Sequence, residues 1–189
     1  MIHRLSLHLS KYLIANGLPE QNQDIYVYGA ECFFNLFLCD SILLCYAVLS
    51  HQIPEFFLWT VSFSILRSHI GGYHAPSHAL CIVSSVLLGI LCLTLYPSVS
   101  LHSLYILILL AFCFLFIIKF APIVSPSHPL SNPLKKKEHF ISIICFIIEY
   151  FVAEIFYQFH PAYSSIIIIS ILSASILSIL GYIKYHTYQ

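Results

Sequence analysis

The stretch from 67 to 81, RSHIGGYHAPSHALC, gathers an arginine, three histidines, two adjacent glycines and a cysteine between long apolar runs. A thiol is a poor nucleophile until an imidazole or a favourable field removes its proton, so this mixture predicts nucleophilic catalysis by Cys81. Pro76 and Ser77 just before it are typical of a helix start. The free amide groups of a first helical turn favour a thiolate.

Two histidines compete for the role of general base. His78 is three residues before Cys81, so the two share a face if the helix is continuous. His74 is seven residues before, about 10.5 Å along a straight helix and too far for proton transfer. The glycines and proline within 71–76 nevertheless predict a loop that folds back over the first turn. Spacing leaves the choice between His74 and His78 open, with His69 as a weaker third.

The composition sets the solvent in which this stretch must work. Of 189 residues, 59% are hydrophobic and 8% are charged, whereas a soluble domain carries about a quarter charged residues. A membrane crossing needs about 20 helical residues, so the chain has room for five or six crossings and for no separate soluble domain. We therefore predict a single all-α polytopic membrane domain over 1–189, with about six transmembrane or re-entrant helices.

The apolar segments lack the alternation of barrel strands, which favours helices. They run over 32–50, 53–66, 79–96, 101–120, 140–159 and 163–183. The second has only 14 residues, about 21 Å of helix, and could therefore form a re-entrant hairpin with the next. The cysteines outside position 81 form no CxxC pair and are interpreted as small hydrophobic residues. These are Cys32, Cys39, Cys45, Cys92, Cys113 and Cys145.

Lysine and arginine predict which side of the membrane each loop faces. If six segments cross and the N-terminus is inside, all 8 basic residues lie on the cytoplasmic side. The stretch 67–81 then faces the cytoplasm.

Residues 1–18 differ from the rest, because apolar side chains lie on one face of a helix and basic side chains on another. This pattern predicts an amphipathic helix in the headgroup plane. Gly17 would end that helix.

The pattern R-x4-G-G-x-H-x6-C, formed by Arg67, Gly71, Gly72, His74 and Cys81, resembles the accessory gene regulator B family of membrane cysteine endopeptidases. A second block, KFAPIVSPSHPLSNPLKKK over 119–137, resembles the proline-containing, lysine-rich cytoplasmic loop of that family. We expect this basic loop to occupy 121–138. With the amphipathic start and the hydropathy pattern, the resemblance extends over nearly the whole chain.

The resemblance implies a bacterial cell-membrane enzyme of quorum sensing and virulence that needs no cofactor. It would cut the C-terminal tail from a small AgrD-like propeptide and help to form a cyclic thiolactone or lactone signal. It assigns Cys81 as nucleophile and His74 as base, and it places Arg67 and Gly72 at positions needed for activity, with Gly71 beside them. The resemblance also implies a homodimer. Nucleic acid is not an expected partner.

Other readings of the same residues stay open. His78 and the lysines Lys135, Lys136 and Lys137 are accessory candidates, the lysines either anchoring the loop to anionic lipid or steering an acidic propeptide tail. Histidines and a cysteine within thirteen residues would also suit a metal-binding transporter, although no metal is expected. A noncatalytic peptide exporter is the third alternative. Four carboxylates in or beside apolar segments are functional or interhelical candidates: Asp40, Glu55, Glu149 and Glu154.

Overall fold

The computed structural model describes residues 2–73, 75, 77–125 and 130–187. These residues form seven α-helices, which confirms the predicted all-α fold of a polytopic membrane protein. Two short 3₁₀ turns lie at Glu20–Asn22 and Tyr96–Ser98. The helices are α1 Ile2–Ala15, α2 Gln23–Leu49, α3 Ile53–Ile70, α4 His78–Leu95, α5 Leu104–Phe120, α6 Asn132–Phe159 and α7 Pro161–Thr187.

Helix α7 is the centre of the bundle, and α3 and α6 pack along it. The most apolar stretch of α7 is 67% buried inside the protein, against 17–22% for the other long apolar helices. Its buried residues are mainly isoleucine and serine, and small serine side chains let neighbouring helices approach closely. These buried residues include Ile166, Ile168, Ser170, Ile171, Ser175 and Ser178.

A buried polar contact ties the three central helices together. Ser62 of α3 donates a hydrogen bond to Glu149 Oε2 of α6 at 2.7 Å, and the Ser62 hydroxyl also contacts the Ser170 hydroxyl of α7. A polar group in an apolar bundle is costly unless it has a partner. Oε2 of Glu149 therefore forms an interhelical contact, one of the two roles that the sequence left open, while Oε1 is buried with no hydrogen-bond partner among the described residues.

Two helices extend beyond the predicted segments into the polar motifs. Helix α3 runs to Ile70, so Arg67 and His69 lie in its last turn and not in the loop expected over 67–81. Its 18 residues span about 27 Å, more than the 21 Å expected of the short segment. Hydropathy alone missed this extension because the last turn is polar.

Helix α6 begins at Asn132, so Lys135, Lys136 and Lys137 lie in its first turns and not in a loop over 121–138. Pro133 in the first turn is compatible with a helix start, because its missing amide would have no partner there. The lysines are exposed, and these first turns have no apolar periodicity from which a helix could be predicted. The connection between α5 and α6 is correspondingly shorter than predicted.

Helix α1 lies against α2 through its small residues, with Ser6 and Ser10 fully buried. Leu5 and Tyr12 remain 47% and 66% exposed, which leaves apolar side chains on the outer surface of a helix that also carries cations. After α1 the chain turns at Gly17, whose φ of +103° is accessible mainly to glycine.

Four of the helical stretches are long and apolar enough to cross a membrane: Glu20–Leu49, His78–Ser98, Asn132–Phe159 and Pro161–His186. Helix α5 is a shorter apolar helix, and α3 carries more polar residues. The count of six crossings and the cytoplasmic placement of the basic residues stay predictions.

The predicted orientation can be tested with single cysteines placed in a variant that lacks the native ones. We expect Ser100→Cys to react with a membrane-impermeant maleimide in intact cells, because the exposed turn after α4 lies outside if basic residues are retained inside. Lys136→Cys, equally exposed, should react only after permeabilisation. The reverse pattern, read by mass shift on gels, would contradict the orientation.

Candidate active site

The loop between α3 and α4 is held by backbone contacts that depend on its two glycines. Gly71 and Gly72 have φ of +66° and +137°, a region that side chains disfavour. Gly71 pairs with Ile123 in an isolated parallel bridge, and Gly72 donates its amide hydrogen to the Ile123 carbonyl at 3.1 Å. Ile123 in turn donates to the Ile70 carbonyl at 2.9 Å. The two sequence motifs therefore meet in space.

The opposite side of the loop lies on α7. Tyr73 donates its amide hydrogen to the Leu177 carbonyl at 2.9 Å, and the Ser178 hydroxyl donates to the Ile70 carbonyl at 3.4 Å. A Cβ at position 72 would lie less than 3.0 Å from backbone atoms of Leu177 and Ser178. Gly72 is thus required twice, by its φ and by the close approach of a helix backbone.

Arg67 fixes the same loop from α3. Its Nη2 donates a hydrogen bond to the Tyr73 carbonyl at 2.7 Å, and the guanidinium is partly buried. Both backbone polar groups of Tyr73 are therefore engaged, the amide by α7 and the carbonyl by Arg67. The residue that follows Tyr73 in the chain is His74, which lies outside the described residues.

Cys81 lies in the first turn of α4 and is half-buried. Ser77 is the N-cap: its hydroxyl accepts from the Leu80 amide at 3.3 Å, and its carbonyl accepts from the Cys81 amide at 3.0 Å. This start agrees with the sequence expectation of a helix beginning after Pro76, which itself lies outside the described residues. The thiol is thus near the positive end of the helix dipole.

His78 is engaged by residues of α2. Its Nδ1 is 2.8 Å from Asn35 Nδ2, and its Nε2 is 3.7 Å from Glu31 Oε2. The other oxygen of Glu31 bonds Nδ1 of His3 on α1 at 2.6 Å. His78 Nδ1 is therefore hydrogen-bonded to α2, and Nε2 faces a carboxylate of the same helix at a distance longer than a hydrogen bond.

His69, another histidine of the 67–81 stretch, is paired with a residue of α6. His69 Nδ1 is 2.6 Å from Glu138 of α6, and His139 Nδ1 is 2.8 Å from the Ala121 carbonyl. These contacts join the start of α6 to α3 and to the segment that holds the glycine loop. They account for His69 as a tie between helices.

Two of the intramembrane carboxylates have partners away from this loop. Glu154 accepts from the Tyr150 hydroxyl at 2.9 Å and faces His102 at 3.7 Å, near the other end of α6. Glu149 lies in the central contact with Ser62. Neither provides an orienting group for the histidines of the loop.

Sequence analysis did not indicate that Glu31 of α2 and Leu177 of α7 complete this region. Asn35 and Glu31 lie more than 40 residues before His78, and Leu177 lies more than 100 residues after Tyr73. Pairings at that separation depend on how the helices pack. One local signal was present, a single glycine at position 181 inside an apolar helix, where glycine usually needs a packing reason.

Comparison with known proteins gives a consistent result. The family model described as accessory gene regulator B matches residues 6–180. Accessory gene regulator protein B of Staphylococcus carnosus strain TM300 is 26% identical over 136 residues, 68% of this chain and 69% of the relative. The protein of the same name from Staphylococcus aureus strain RF122 is 26% identical over 124 residues, 64% of this chain and 65% of the relative.

A third relative, from Staphylococcus aureus strain MRSA252, is 31% identical over 103 residues, which cover 52% of this chain and 55% of the relative. The chain thus spans between about half and two thirds of the length of these relatives. No solved structure matches the chain. Because the family model covers nearly the whole sequence, this chain belongs to the accessory gene regulator B family.

Proposed function

We propose that this protein is a membrane cysteine endopeptidase that removes the C-terminal tail of a small AgrD-like propeptide. In the same reaction it helps to form a cyclic thiolactone or lactone signalling peptide. The observation that carries the proposal is the glycine loop, because Arg67, Ile123 and α7 fix its backbone up to Tyr73, four residues before the N-cap of the helix that bears Cys81. Membership of the accessory gene regulator B family supports the same reaction.

In the proposed mechanism His74 accepts the proton of Cys81, and the thiolate attacks the carbonyl carbon at the cut. The tetrahedral intermediate collapses, the C–N bond breaks, and the imidazolium returns the proton to the departing amine. The N-terminal part of the propeptide stays on Cys81 as a thioester. A cysteine of that peptide then attacks the thioester, with its proton taken by His74, and Cys81 leaves as the ring closes.

The thioester conserves the energy needed for the second step. Exchange of one thioester for another is nearly balanced in free energy, whereas attack by water would discharge the intermediate. Cys81 is half-buried at the start of a helix long and apolar enough to span the membrane, which supports restricted access of water. A serine in the propeptide would give a lactone by the same route.

The geometry supports one of two roles for Arg67. A guanidinium at this position could bind a propeptide carboxylate or support the loop. Its hydrogen bond to the Tyr73 carbonyl favours support, because that contact fixes the residue next to His74. We therefore propose that Arg67, Gly71 and Gly72 are loop-supporting residues, and that His74 and Cys81 perform the chemistry.

The exposed lysines at the start of α6 have a separate proposed role. Lys135, Lys136 and Lys137 would face the cytoplasm, where they hold the helix end near anionic lipid and attract an acidic propeptide tail. The competing metal-transport function has weaker support, because His69 pairs with Glu138 of α6 whereas His78 faces Glu31 of α2. The two imidazoles are thus directed to different helices and not to one shared site.

Replacing either member of the proposed pair should stop cleavage. We expect Cys81→Ala and His74→Ala each to lower the cleavage rate at least about 100-fold, the usual contribution of a general base or a nucleophile. Co-expression with a propeptide that carries an internal cysteine and an acidic tail, with products identified by mass, measures this. Cys145→Ala, which alters another half-buried thiol, should cleave normally.

Membrane abundance of each variant must match that of the parent protein for this comparison. Normal cleavage by Cys81→Ala would refute the peptidase assignment and favour a noncatalytic exporter. Normal cleavage by His74→Ala, with Cys81→Ala inactive, would instead transfer the base role to another group.

His78→Ala should retain most of the cleavage activity. Its ring is hydrogen-bonded to Asn35 and faces Glu31, so its removal deletes a contact between α2 and α4 and leaves the proposed base in place. Initial rates of propeptide cleavage in isolated membranes would measure the effect. A loss as large as that of His74→Ala would mean that His78 is the base.

Inhibitors should separate the peptidase from a metal-dependent function. Iodoacetamide should abolish cleavage, because alkylation blocks the nucleophilic sulfur. A chelator at saturating concentration should leave the rate unchanged. Inhibition by the chelator that added zinc reverses would support the metal-binding alternative.

A further inference from the structure

The C-terminal part of α7 presents one stripe of residues to the glycine loop. Leu177, Gly181 and Lys184 recur at intervals of four and three residues, which places them on one helical face. Leu177 accepts the Tyr73 amide hydrogen, as described above. The other two positions contact the same part of the loop.

Gly181 is buried where the helix backbone meets the loop backbone. A Cβ at this position would lie less than 3.0 Å from backbone atoms of Gly72 and Tyr73. Those are backbone atoms of a segment in which both amides and the Tyr73 carbonyl are hydrogen-bonded, so they cannot move aside as a flexible side chain would. Glycine inside a helix is otherwise unfavourable relative to alanine, and here the close approach explains it.

Lys184 covers the side chain of the same loop residue. Its Nζ lies 4.4 Å from the centroid of the Tyr73 ring, within the range of a cation–π contact. The Tyr73 backbone is thus held by Arg67 and Leu177, and its ring is held by Lys184. Three points of attachment fix the orientation of one residue.

We infer that Gly181 and Lys184 of α7 are positioning residues for the proposed reaction, acting through Tyr73 on the base that follows it in the chain. The inference rests on the proposed function. Neither residue lies in the sequence motif, and Gly181 falls just beyond the part of the chain that the family model matches.

The expected effect is on the chemical step. The propeptide does not need Gly181 or Lys184 for binding if both act on the loop, so KM should change little while kcat falls. Misplacement of a catalytic group by about 1 Å can cost about 100-fold in rate. A fault in folding alone would instead lower the amount of protein in the membrane.

Gly181→Ala should lower kcat at least about tenfold with KM within about twofold, in purified protein acting on a synthetic propeptide. Gly29→Ala is the matched control, since Gly29 is also inside a helix but a Cβ there would meet nothing within 4 Å. Both changes raise helix propensity equally, so a loss confined to position 181 must come from the loop contact. Equal kinetics for the two variants would overturn the role of Gly181.

Substitutions of Lys184 provide a test that does not crowd the backbone. Lys184→Ala should lower kcat about threefold, and Lys184→Arg should restore it because a guanidinium also lies over aromatic rings. Unchanged kcat in Lys184→Ala, or no rescue by arginine, would refute its role. If Cys81→Ala still cleaves, the proposed function itself fails; if Cys81→Ala is inactive and these variants are normal, only this inference fails.

Discussion

The site depends on one constraint, that a non-helical backbone segment at the edge of an apolar bundle must have its polar groups satisfied. Lipid supplies no hydrogen bonds, so every amide and carbonyl there needs a protein partner. In this chain the partners come from two sides, the segment around Ile123 and the end of α7. Two glycines make that double contact geometrically accessible.

The same constraint explains why the motifs are far apart in sequence and close together in the fold. The Ala-Pro segment after α5 is needed because its Ile123 backbone pairs with the loop. His139 and His69 then tie the start of α6 to this region. These contacts connect three helix ends or segments around one short loop.

Much of the fold was accessible from composition and hydropathy, because the apolar runs are long and the charges are few. The all-helical membrane architecture and the start of α4 beside Ser77 followed from those signals. The last turn of α3 and the start of α6 could not be predicted in this way, because Arg67 and the three lysines form polar turns that hydropathy cannot distinguish from loops. The family resemblance came from a short motif and was confirmed over residues 6–180.

The neighbours of the site were much less predictable. Asn35, Glu31 and Leu177 reach the loop or the start of α4 only through helix packing, and the sequence near them does not identify the residue that each one contacts. The assignment of His74 as the base came from the resemblance. The structure adds the observation that His78 is hydrogen-bonded to Asn35 of α2. The residue types indicated the chemistry, whereas the backbone of the site is held by contacts between residues that are far apart in the sequence.

The contact between Gly72 and Gly181 has a consequence for how related chains can diverge. Neither position can gain volume at the expense of the other, because both already lack a side chain. Position 72 is also restricted by its own left-handed backbone, so it has no freedom to relieve its neighbour. Position 181 is therefore restricted because of position 72. A larger residue at 181 would first require a different backbone conformation of the whole turn.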